Sequence, residues 1–283
     1  MADPTPPEPP SEKKSRAGRN LPAAIASGVG LAIVVLLSLF VVKWVFVLVV
    51  IAALAIAANE LVNAFNQGDV HVARTPVFGA VVAIPAVAYI WGVEAQLIAT
   101  GIVVLLILLW RIRRGYEGYV RDVTASAFVV MYLPFMAGFL MLTLATADGA
   151  ARVVVFILLT VCNDIGGYAA GVLFGKHPIA PQISPKKSWE GFAGSVLLQG
   201  VVGVACWMLI FDAPWWQGLI AGLVMTVTAT AGDFAESAIK RDLGVKDMGT
   251  FLPGHGGMMD RLDSLVPNAF TSWALFTFFL GSA

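Results

Sequence analysis

The sequence predicts an all-α, polytopic integral membrane protein with about nine transmembrane helices and a cytoplasmic N-terminus. Three observations predict it. The 283 residues are 58% hydrophobic and only 13% charged, against roughly 45–50% apolar and about 25% charged in soluble domains. Apolar stretches of bilayer length recur between short polar breaks, with no charged face that would let them pack as soluble helices. Sixteen of the 18 Lys and Arg residues fall on one side of a nine-span arrangement, leaving Lys43 and Arg152 on the other. Basic loops stay in the cytoplasm, so this bias sets the direction of threading. The net charge is zero, so no general attraction to nucleic acid is available and no such partner is expected.

The elements follow in order. Residues 1–20 carry five prolines in the first ten positions, then Lys13, Lys14, Arg16 and Arg19, a composition expected to form a disordered cytoplasmic tail. A cleavable signal peptide is not expected, because the first apolar run begins near Leu21 and is long enough to span. Spans are predicted over 21–42, 44–62, 76–93, 95–110, 122–146, 150–173, 190–211, 214–239 and 265–282. Only Gly92-Val93-Glu94 separates the third from the fourth, which leaves one re-entrant hairpin as an alternative there. Trp44, Trp110, Trp189, Trp215 and Trp216 lie at span ends, as in an aromatic belt. Cys162 and Cys206 lie in apolar runs without a CxxC spacing and read as small apolar fillers. The chain divides into N-terminal helices over 21–146 and a C-terminal part, 147–283, that holds two long polar cytoplasmic loops, 174–188 and 240–264.

Chemistry is expected at those loops. Ionisable residues inside spans are costly and therefore functional candidates. Here they are Asp164, Glu190, Asp233 and Glu236, all near the cytoplasmic ends of their spans; Glu60 reads as a carboxylate snorkelling to water. Asp233, Ser237 and Lys240 recur at i, i+4 and i+7, so one helix face carries a carboxylate, a hydroxyl and an ammonium. Glu236 lies off that face but is spaced to pair with Lys240. Arg241 and Lys246 follow, then His255 with glycines at 254, 256 and 257, where backbone amides can approach an anion unhindered. Asp260 and Asp263, with Arg261 between them, share a face if a helix begins there. Carboxylates alternating with bases suit a divalent cation beside phosphate oxygens. Lys186 and Lys187, flanked by Ser184 and Ser188 at a predicted helix start, make a weaker anion site. The arginines of 111–121 read as topological anchors, and His71 and His177 have no partners at metal spacing.

Residues 237–263, Ser-x-Ile-Lys-Arg-x4-Lys-Asp-x-Gly-x2-Leu-Pro-x-His-Gly-Gly-Met-x-Asp-Arg-Leu-Asp, resemble the signature of the phosphatidate cytidylyltransferases, or CDP-diacylglycerol synthases. Asn163-Asp164 and Ser184-Pro185-Lys186-Lys187-Ser188-Trp189-Glu190-Gly191 resemble that family too, so the likeness is strong over 160–265. It implies a multi-pass inner-membrane enzyme, its active site facing the cytoplasm, that converts CTP and phosphatidate into CDP-diacylglycerol and pyrophosphate with Mg2+. Carried over by position, Asp233 and Asp260 are the principal metal carboxylates, with Asp263 and Asp164 in a supporting or second-cation role. Lys186, Lys187, Lys240, Arg241, Lys246 and Arg261 then bind the triphosphate or phosphatidate, and His255, Gly256 and Gly257 meet the departing pyrophosphate. The likeness also implies a homodimer and, in some members, a monovalent cation such as K+.

Two rival classes remain. A CTP-dependent lipid-alcohol kinase needs the same nucleotide site but passes on the γ-phosphoryl group, so its released product is CDP. A cation-coupled transporter also uses acids near helix ends, but there they gather at the midplane between repeats, and no inverted repeat is visible in this sequence. Asp148-Gly149-Ala150-Ala151-Arg152 hints at a CDP-alcohol phosphotransferase, but it lacks the later aspartates and falls on the outer side.

Overall fold

The computed structural model describes residues 33–245, 248–249 and 257–281. Within them the chain is almost wholly helical: α1 (33–41), α2 (Lys43–Gln67), α3 (Arg74–Ile112), α4 (Tyr119–Val130), a π-helical turn (Met131–Phe135), α5 (Met136–Ala145), α6 (Gly149–Phe174), α7 (Trp189–Leu209), α8 (Trp215–Asp242), α9 (Met259–Leu262) and α10 (Leu265–Leu280). Helices dominate because a chain in lipid must satisfy its backbone groups within each segment.

Among the described residues, six helices are long and apolar enough to cross a membrane: α2, α3, α4 through α5, α6, α7 and α8. Nine such helices are not counted among the described residues, for two reasons. The third and fourth predicted spans are the two helical segments of α3, which meet at Gly92 with no loop between them and so count as one long helix. There φ is 83° and ψ −166°, a backbone state open essentially to glycine alone, so the chain redirects without leaving a loop. Of the first predicted span, residues 21–32 lie outside the described residues and the rest holds α1; the last is the 16-residue α10. The predicted 122–146 span is continuous through the π turn, where Pro134 offers no N–H and the hydrogen-bond ladder shifts by one residue.

The loop expected over 174–188 is partly ordered as an antiparallel hairpin, β1 (Pro178–Ala180) with β2 (Ser184–Ser188), pairing Pro178 with Ser188 and Ala180 with Ser184. It ends in the N-cap of α7, where the Ser188 hydroxyl accepts the Gly191 N–H at 3.1 Å.

Small residues set the packing of the C-terminal helices. A side chain at Gly166 would lie 2.6 Å from the Gly194 carbonyl, so α6 and α7 cross in backbone contact. Two apolar clusters stack along the bundle. One joins α2, both halves of α3 and α4 around Leu61, Ile84 and Val129; the other gathers α5, α6, α7 and α10 around Phe156, Trp207 and Phe276. Arg111 is not a free anchor: it is buried in an ion pair with Asp122, Nε to Oδ2 2.7 Å, and Asp122 also accepts the His71 N–H at 3.0 Å.

Candidate active site

Gly232 opens the site. A Cβ there would strike the Asp263 carbonyl and come within 2.8 Å of Pro267, so only glycine lets the α9–α10 junction lie against α8. The next residue, Asp233, is thereby brought beside Asp263. Four separate elements then converge: Asp164 from α6, Lys187 from β2, Asp233, Glu236 and Lys240 from α8, and Asp260, Arg261 and Asp263 from α9 and its C-cap.

The contacts divide the cluster in two. Lys187 ion-pairs with Asp233 and lies 5.3 Å from the centre of the Phe234 ring. Lys240 bridges Glu236 at 2.5 Å and Asp260 at 2.7 Å, while Asp260 also accepts the Gly257 N–H at 2.8 Å. Asp233 and Lys240, expected to act from one helix face, therefore serve different partners. Asp263 joins the halves, lying in electrostatic reach of Asp233 and Glu236; Asp164 feels Asp233, Lys187 and Arg261. Burial, reinforced by the Asp233 and Glu236 charges, pushes the Asp263 carboxyl above the usual carboxylate range. Asp260 is also raised by burial, but hydrogen bonds from Lys240 and the Gly257 amide outweigh this and hold it below the usual carboxylate range.

The five carboxylates outnumber the three cations, and Glu236 Oε1 is buried with no hydrogen-bond partner among the described residues. Hard oxygen donors in excess, one of them unsatisfied, fit a divalent cation. No three acids close into a ready-made cage among the described residues; Asp233 and Asp260 each pair with a lysine instead.

Beside Asp233 lies a cavity of about 260 Å³, whose walls include Asp164, Lys186, Lys187, Ser188 and the backbone at Gly167 and Gly191. Ser184 lies at the start of β2. Arg241 donates from Nε to the Ile183 carbonyl at 3.5 Å, and Ser237 is half-buried on α8. Lys246, His255 and Gly256 lie outside the described residues.

Glu60 corrects the sequence expectation. It is buried, and its carboxylate accepts the backbone N–H groups of Met258 at 3.1 Å and Met259 at 2.8 Å, pinning the chain just before Asp260. A side chain at Gly257 would lie 2.6 Å from the Glu60 carboxylate, which accounts for glycine there. His177, without partners in the sequence reading, pairs with Glu190 at 2.6 Å across the hairpin. Tyr132 gave no sequence signal beyond a hydroxyl inside a span; its Oη is buried without a partner among the described residues, in reach of the Asp263, Glu236 and Asp233 charges.

The model of the cytidylyltransferase family matches residues 22–279. The chain is 36% identical over 278 residues to a phosphatidate cytidylyltransferase of Mycobacterium leprae (strain TN), covering 93% of this chain and 89% of that protein. It is 36% identical over 283 residues to the one from Mycobacterium tuberculosis (strain CDC 1551 / Oshkosh), covering 95% and 86%. A phosphatidate cytidylyltransferase of Staphylococcus saprophyticus is 36% identical over 143 residues, half of this chain.

Proposed function

The chain belongs to the cytidylyltransferase family, and from that premise we propose that it transfers the cytidylyl group of CTP to phosphatidate, forming CDP-diacylglycerol and pyrophosphate. The convergence of Lys187 with Asp233 and of Lys240 with Asp260, from separate elements at one end of an apolar bundle, carries this reading. It supplies what two anionic substrates need, one of them held at a membrane surface.

The phosphate of the lipid is ionised near neutral pH, so its oxygen can attack the α-phosphorus of CTP without a base. A new O–P bond forms as the bond to the bridging α–β oxygen breaks, and pyrophosphate leaves with that electron pair. The protein's part is positioning and charge neutralisation. Lys186 and Lys187 line the cavity from the hairpin and would hold the triphosphate; Ser188 caps α7 with its oxygen, leaving its O–H to donate to a phosphate oxygen. Ser184, Ser237 and Lys246 would add further contacts, and His255, Gly256 and Gly257 would meet the pyrophosphate. Lys240, Arg241 and Arg261 would neutralise the phosphates from the α8 and α9 side. Asp233 and Asp260, supported by Asp263 and Asp164, would hold Mg2+, which supplies neutralisation of phosphate oxygens when bound; a monovalent cation such as K+ would find the same donors. The reading puts the protein in the cytoplasmic membrane with this end inward, supported by the bias of basic loops, and includes a homodimer on family grounds.

Purified protein given CTP labelled in the cytidine, phosphatidate and Mg2+ should move label into extractable lipid with one pyrophosphate released per lipid. Release of CDP, with a newly phosphorylated lipid, would mean γ-phosphoryl transfer instead and would overturn the assignment.

A further inference from the structure

An apolar cleft of about 180 Å³ runs between α2, α5, α6 and α10 and ends at α9. It opens where the two apolar clusters meet: Leu54 and Ala137 on its walls belong to one, Phe46 and Leu140 to the other. Along α2 its wall extends from Phe46 to Leu54, about 12 Å at 1.5 Å per residue. Small side chains at Ala53 and Ala137 keep it open. Arg261 is the one charged side chain among the described residues that line it, and the guanidinium reaches Asp164 of the carboxylate cluster electrostatically. The cleft thus offers an apolar strip beginning at bilayer depth and a positive group where it meets the charged cluster. That pairing matches the two halves of an anionic lipid: a hydrocarbon chain and a phosphate.

We propose that this cleft receives one acyl chain of the phosphatidate, with Arg261 holding the lipid phosphate at the edge of the carboxylate cluster. The assignment deepens the proposed cytidylyl transfer and depends on it for the identity of the lipid. A chain entering the cleft leaves bilayer that is already as apolar as the walls, so it gains little hydrophobic free energy. Its contribution is register: the phosphate arrives at one depth and one orientation, where a small misplacement is costly in rate.

Two measurements on the full chain test this. Ala53→Trp and Leu140→Trp each place a ring in the cleft. Each should lower kcat/KM for dioleoyl phosphatidate at least about tenfold, while kcat/KM for dihexanoyl phosphatidate and the KM for CTP stay within about twofold. Equal losses on both lipids, or none on either, would overturn the cleft assignment. Photocrosslinking the wild-type protein with phosphatidate bearing a diazirine in the acyl chain needs neither a variant nor turnover. Adducts on 46–54, 137–140 or 156–157 are expected. Adducts confined to the outward faces of the helices would overturn it. Cleft adducts in a protein that forms no CDP-lipid would sink the reaction and leave the cleft standing.

Discussion

At Asp233 one carboxylate meets the Lys187 ammonium while lying in reach of Asp164 and Asp263. Asp233→Asn keeps the shape and removes the charge, so turnover should fall by about 10³-fold, on the scale of losing one preorganised electrostatic contact. Circular dichroism in detergent should be unchanged; an active variant would contradict the metal and lysine roles together. Glu60 acts on backbone instead. Hydrogen bonds to a charged group contribute about 1.5–3 kcal/mol, so in Glu60→Ala the Met258 and Met259 amides should exchange with solvent about 10- to 150-fold faster. Unaltered exchange would show that the turn holds itself. The motif aspartates and lysines were legible because their spacing over 237–263 is dense and local. Glu60 was not, since its partners lie 198 and 199 residues away and a lone acid near a helix end reads equally well as a solvated one.

At the scale of elements, α8 meets the α9–α10 junction through Gly232. Gly232→Val forces the two apart and should cost about 100-fold in turnover, whereas Gly79→Ala, where an added Cβ meets nothing within 4 Å, should be silent. If both variants are equally active, close approach at Gly232 does not place Asp263. The Arg111–Asp122 pair joins α3 to α4 out of water. Removing one partner leaves a buried charge, so Asp122→Ala should destabilise by about 3–5 kcal/mol in a denaturant series in detergent, and Arg111→Met/Asp122→Leu should recover most of it. Helix type and rough bounds followed from hydropathy. The break at Gly92 did not resolve into one element or two, because a single glycine fits a turn as well as a kink, and the hairpin over 178–188 was hidden by strands of three and five residues.

Across the whole molecule, charge is segregated. The clustered carboxylates and their lysines gather at one end, whereas Lys43 and Arg152 close the other: Lys43 donates to the Leu144 and Thr146 carbonyls at 3.0 and 2.8 Å, and Arg152 to that of Gly281 at 2.9 Å. These two basic residues, set apart in the sequence by position alone, tie off backbone carbonyls that follow or close helices, and Arg152 also pairs with Asp148 at 2.7 Å. Between the two ends run the apolar clusters and the cleft, so a lipid and a nucleotide can reach the acids from different directions. On the proposed reading, a cation held by carboxylates from distinct elements would let the two anions meet there. The most direct test is the rate of CDP-lipid formation by the purified protein before chelation, after exhaustive chelation and after Mg2+ is returned. Loss to background and full recovery is the expected result; an undiminished rate in the chelated protein would contradict it.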